Sequence, residues 1–96
     1  MLDIPQEWLK QVKEILEKYI SDSEVCAFGS RVTGKSKKYS DLDLVIKARL
    51  SLDNKTIALL RNDFEESNLP IKVDIVEWNA LSDSFKAIVE EKYEVI

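Results

Sequence analysis

Asp41 and Asp43 stand two residues apart in Ser40-Asp41-Leu42-Asp43-Leu44, where acids alternate with leucines. Side chains two apart on an extended strand share a face, so this spacing sets two carboxylates side by side, where they repel unless a cation stands between them. A third acid, Asp74, alternates with Val73 and Ile75 in another such segment. With Val73 and Ile75 turned to the core alongside Leu42, Leu44 and Ile46, Asp74 joins the two aspartates on the opposite face. Three carboxylates there suit Mg²⁺, which takes a few carboxylates octahedrally and leaves positions for water and substrate phosphates. Mn²⁺ accepts the same ligands. Two such ions, about 4 Å apart, clamp the attacking and leaving oxygens of a phosphoryl transfer. The pattern therefore predicts a metal site at Asp41, Asp43 and Asp74, working on phosphate.

Gly29-Ser30 complements it. A glycine at a strand end lets the backbone approach a phosphate, and the amides of a following helical turn can cradle its oxygens. Arg31, Lys35, Lys37 and Lys38 add positive charge, with Arg31 able to bind bidentately. The stretch Gly29 to Ser36 also satisfies the phosphate-loop pattern G-x-x-x-x-G-K-S/T. That loop must open a long helix leading to a parallel strand, however, and only residues 37 to 41 separate Ser36 from the next strand. The chain has no room for it.

These residues need elements to position them. Trp8, Leu9, Val12, Ile15, Leu16, Tyr19 and Ile20 recur at helical steps after Pro5, predicting an amphipathic helix to Ile20. Val25 to Phe28 reads as a short buried strand ending at Gly29, and Leu42 to Ile46 as a second. Asp53 can cap a helix to about Ser67 with Ile57, Leu60 and Phe64 on its stripe. Lys72 to Trp78 predicts a third strand, and Leu81 to Tyr93 a last helix showing Leu81, Phe85, Ile88 and Val89. The dozen polar residues between the first two strands carry no helical stripe, so those strands should be antiparallel; a helix joins the second and third, which should be parallel with a right-handed crossover. The expected fold class is α/β (α+β), a small mixed three-stranded sheet with packed helices. Cys26, Trp8 and Trp78 read as packing residues.

Composition limits the chemistry further. Ninety-six residues suit a single domain, 1–96. The chain has no histidine and one cysteine, which excludes His-based triads and an internal disulfide and argues against zinc sites. A net charge of −4 argues against stable binding to long nucleic acids. No apolar run approaches the roughly 18 residues of a membrane span, and no signal-peptide core is evident, so no membrane association and a cytoplasmic location are expected.

Gly29-Ser30, ten intervening residues, then Asp41-Leu42-Asp43 resembles the signature of the polymerase beta type nucleotidyltransferases, most closely the minimal, MNT-type group often paired with a helical HEPN-type partner. The similarity runs over nearly the whole chain. It implies the polymerase beta-like nucleotidyltransferase fold and transfer of a nucleoside monophosphate, usually AMP, from ATP or another nucleoside triphosphate, with two Mg²⁺ ions. It also implies catalytic and metal roles for Asp41, Asp43 and Asp74, the last on the acceptor side, and nucleotide binding by Gly29 and Ser30; Arg31 and Ser40 are expected to bind the nucleotide beside them. Thr33 departs from the pattern, because many relatives carry a second arginine there.

The resemblance further implies that the acceptor comes from outside the chain: a tyrosine hydroxyl of a HEPN-type partner, adenylylated by the antitoxin of a toxin-antitoxin pair in a hetero-oligomer, with a homodimer as the other assembly. One alternative is a non-catalytic antitoxin-like module that masks its partner, with the last helix and the tail Tyr93-Glu94-Val95-Ile96 as its interface. Another is nucleotidyl transfer to RNA or a small molecule. The four residues Ser30, Asp41, Asp43 and Asp74 favour the enzyme, since a steric module has no need of them.

Overall fold

The apolar stripe of the first segment folds as α1 (Gln6–Ile20), which begins after Pro5 and buries Val12, Leu16 and Ile20. Strand β1 (Glu24–Phe28) follows, then a single helical turn, α2 (Ser30–Thr33), and β2 (Leu42–Lys47). Next come α3 (Asn54–Glu66), β3 (Val73–Glu77), a 3-10 turn at Trp78–Ala80, α4 (Asp83–Glu91) and β4 (Glu94–Val95). This computed structural model describes residues 2–49 and 52–96. Asp53 caps α3 as its residue type predicts, its carboxylate accepting from the Lys55 N–H at 3.0 Å.

The strands form one sheet in the order β3-β2-β1-β4. β1 and β2 are antiparallel, and β2 and β3 parallel, as their connections require. The sheet has four strands where three were expected. The difference is β4, which pairs with β1 through Cys26↔Val95 and Ala27↔Glu94. The last helix correspondingly stops at Glu91, short of Tyr93, and its Phe85 and Ile88 are exposed rather than inward; only Val89 is buried. The tail expected to face a partner is thus partly used within the chain, although Tyr93 and Val95 keep exposed surface.

Each sheet face has its own packing. Helices α1 and α3 cover one, where Ala27, Leu42, Leu44, Ile46 and Ile75 meet Val12, Leu16, Leu60 and Phe64. On the other, α4 lays Val89 against Cys26 and Val45, with Phe28, Val76, Trp78 and Leu81 at the margin. The rest of that second face is left to polar side chains. No helix among the described residues is long and apolar enough to cross a membrane.

Candidate active site

Sheet register brings the acids together. Asp43 lies opposite Phe28 on one side and Asp74 on the other, so Phe28, Asp43 and Asp74 form one row across β1, β2 and β3 on the face away from α1 and α3. Neighbouring strands run about 4.8 Å apart, and this sets the two carboxylates within strong electrostatic reach. Asp41 sits one residue before β2 and is exposed. Burial and then the negative charges of Asp74 and Asp41 push the Asp43 carboxyl up to about 6, with Lys72 pulling weakly the other way. Lys72 was not singled out by sequence, although it shares Asp74's parity along the strand. Its Nζ lies 3.4 Å from Asp74 Oδ1.

Gly29 must be glycine for two reasons. Its φ is +79°, and a Cβ there would overlap the Asp43 carboxylate. Backbone and metal-type ligand are therefore in direct apposition. Ser30 opens α2, where the leading amides of a helical turn have no partner within the turn. Gly34, at φ +82°, ends that turn at once. Lys35 and Ser36 consequently open no helix, and Ser36 Oγ instead donates to Asp3 Oδ2 at 2.5 Å. The phosphate-loop reading fails on this geometry.

Arg31 corrects an expectation. Predicted as a mobile phosphate contact, it is 3 % exposed, and its guanidinium is spent on backbone carbonyls. Nε donates to Ser40 O at 3.0 Å, Nη1 to Asp3 O at 2.8 Å, and Nη2 to Lys38 O at 2.8 Å and Lys37 O at 3.3 Å. Trp8 lies against it, with the guanidinium 5.8 Å from the ring centre. Ser40 belongs to the same assembly: its N–H donates to Lys37 O at 3.1 Å, while its Oγ accepts from the Lys37 N–H at 2.8 Å. Together they close the turn that delivers the chain to Asp41. The cations that do reach solvent beside α2 are Lys35, Lys37 and Lys38.

Among the described residues, no three His, Cys, Asp or Glu side chains are already gathered as an ion cage. The donor set nonetheless fits a hard divalent cation: it is all carboxylate, and Asp43 is half-buried beside the negative charges of Asp74 and Asp41 with only Lys72 opposing them. The residues that would hold such an ion are Asp43 and Asp74 in their shared row and Asp41 at its edge.

Comparison with known proteins agrees with this arrangement. Residues 9–96 match the family model described as a nucleotidyltransferase domain. The chain is 47% identical over 95 residues, covering 99% of itself and 83% of the relative, to the Haemophilus influenzae protein named probable protein adenylyltransferase MntA. A crystal structure of a toxin-antitoxin with AMP-PNP superposes with a TM-score of 0.73 at 24% identity, over 90% of this chain and 69% of that one. The tri-AMPylated Shewanella oneidensis HEPN toxin in complex with MNT antitoxin matches with a TM-score of 0.69 at 23% identity, over 94% and 69%. These two likenesses establish the shared fold. Members of the family generally use divalent metal ions. Both the match along the chain and the acids that the sheet aligns lead to the same place: this chain belongs to the nucleotidyltransferase domain family and is a nucleotidyltransferase.

Proposed function

We propose that the chain moves AMP from ATP to a tyrosine hydroxyl of a HEPN-type partner, acting as the cytoplasmic antitoxin of a toxin-antitoxin pair, with residues 1–96 working as one domain. The observation that carries this reading is the 47% identity, over 99% of the chain, to a protein adenylyltransferase. The structural neighbours with AMP-PNP and with an AMPylated HEPN toxin support it.

Asp41 and Asp43 would hold two Mg²⁺ ions with Asp74. Bound there, Mg²⁺ supplies charge neutralisation and polarisation of the phosphoryl oxygens. Gly29 lets the backbone come close, and the Ser30 amide and hydroxyl take a phosphate oxygen. Lys35, Lys37 and Lys38 offset the remaining phosphate charge. Asp74 receives the proton of the acceptor hydroxyl, whose oxygen bonds to the α-phosphorus as the bond to the β-phosphate oxygen breaks and pyrophosphate leaves. Arg31 and Ser40 contribute indirectly, by fixing the turn before Asp41.

Incubation with ATP labelled at the α-phosphate, Mg²⁺ and a candidate HEPN-type partner tests the proposal. The partner should gain AMP on tyrosine. Label appearing in RNA or a small molecule, or only binding without transfer, would contradict it.

A further inference from the structure

Lys72 takes no part in the transfer described above, yet it stands among the acids. The Leu42 N–H donates to Lys72 O at 2.9 Å, which carries the pairing of β2 with β3 one residue before the start of β3. Leu42 pairs with Val73 and Asp43 with Asp74, so the same register one step earlier sets Lys72 beside Asp41. Lys72 and Asp74 are two apart and share a face, as Asp41 and Asp43 do. Four charged residues therefore mark the corners of a rectangle on the sheet, about 4.8 Å across the strands and about 6.6 Å along them. Three corners are acids and the fourth is an ammonium.

That ammonium serves the acids and little else. Its Nζ lies 3.4 Å from Asp74 Oδ1, and its charge draws the Asp43 carboxyl down against the push of Asp74 and Asp41. Among the described residues, no other Lys or Arg makes an ion pair with any of the three acids. It also approaches from the β3 side, whereas Gly29 approaches Asp43 from the β1 side, so Lys72 leaves the phosphate side of the row open. The Lys72 side chain is 71 % exposed and that of Asp74 41 %. A pair this open is held loosely, and a lysine stem can swing into solvent without breaking any packing. A divalent ion on the same carboxylates would repel the ammonium and drive that swing.

We propose that Lys72 is the resident counter-ion of the acid row: it neutralises Asp74 and Asp43 in the metal-free chain, must swing out when a divalent ion binds them, and so sets metal affinity. This rests on the metal assignment proposed above and adds what opposes the acids before the metal does. Lys72 is a positioning residue, because it acts through the carboxylates and takes no part in the bond changes. Its presence relieves part of the repulsion in the metal-free fold and leaves the metal held less tightly than three unopposed carboxylates would hold it.

The test measures Mn²⁺ binding to the full chain from the electron paramagnetic resonance signal of the free ion, at low ionic strength, with and without a non-hydrolysable ATP analogue. Lys72→Met should bind Mn²⁺ at least threefold more tightly than wild type, and the gain should shrink as salt is raised. Lys72→Arg keeps the charge and should stay within twofold of wild type. Lys10→Met removes the same charge from the exposed side of α1, which packs on the opposite sheet face, and should leave the affinity unchanged. Without metal, Lys72→Met should melt about 2 to 4 °C below wild type at pH 7.5, and saturating Mn²⁺ should close that gap. Unaltered or weaker Mn²⁺ binding by Lys72→Met would overturn the proposal, and slower transfer alongside it would make Lys72 a contact of the acceptor. An equal gain in Lys72→Arg or Lys10→Met would overturn it too. If Mn²⁺ binds Asp43→Asn as tightly as wild type, or fails to bind wild type even with the analogue, it is the metal assignment itself that is refuted.

Discussion

One strand, β2, presents two opposite environments. Leu42, Leu44 and Ile46 are at most 1 % exposed and packed under α1 and α3, whereas Asp43, between two of them, faces neighbouring carboxylates and a glycine backbone. The apolar side lowers the energy of the fold with every contact. Its other side holds charges that the empty fold is better without. Stability and chemistry are thus separated by the alternation of a strand, and substitutions on its two sides should have opposite signatures.

The largest effect is expected at Asp74. Asp74→Asn keeps the shape and removes the negative charge where the nucleophile forms, so single-turnover transfer should fall by about 10² to 10⁴, or roughly 3 to 5 kcal/mol, with ATP binding largely kept. Unchanged transfer would reduce Asp74 to a solvated strand residue. Leu44→Ala, on the other side, should cost about 2 to 5 kcal/mol of unfolding free energy through the cavity it leaves. Denaturant titration measures this, and transfer by the folded fraction should persist.

Arg31→Met lies between the two classes. It removes the charged donor from the carbonyls of Asp3, Lys38 and Ser40, while Lys37 O keeps the Ser40 N–H, and a loss of about 1.5 to 3 kcal/mol is expected for hydrogen bonds from a buried charged group. Retained stability with selectively weakened ATP binding would restore it as a phosphate contact. Lys35→Ala should be the mildest, changing transfer by less than about threefold, because an exposed lysine here is one of several cations and interacts through solvent. A loss as large as that of Asp74→Asn would revive the phosphate-loop reading.

Much of this was legible from local pattern. The acids alternate with Leu42 and Leu44 because one face is core, and that alternation is visible in the sequence; so is the Asp53 cap. Both connection lengths gave the right strand directions. What sequence concealed is non-local. β4 is two residues long and exists because Glu94 and Val95 meet β1 across the chain, which no local periodicity records. Arg31, beside Gly-Ser and three lysines, reads as a phosphate ligand until Asp3 and the turn at residues 37–40 fold over it. Phe85 and Ile88 follow helical spacing yet stay exposed, since α4 reaches the sheet mainly through Val89.

Asp43 carries the central claim, that a half-buried carboxylate beside other acids is held in the fold, at a cost in stability, for the sake of a metal-dependent transfer. Burial and neighbouring acids raise its carboxyl from 3.8 to about 6, so the native state favours the protonated form. Its contribution to stability therefore rises as pH falls from about 6 toward 4, and above 6 the ionised group weakens the fold. Asp43→Asn removes that penalty, which for a half-buried, solvent-screened group is about 1 kcal/mol. Thermal unfolding and adenylyl transfer measured on the same Asp43→Asn preparation decide the matter most directly. The expected result is a metal-free Tm higher than wild type by roughly 4 to 8 °C at pH 7.5, with the gap closing toward pH 4 and transfer reduced at least about a hundredfold. A lower Tm together with retained transfer would contradict the account.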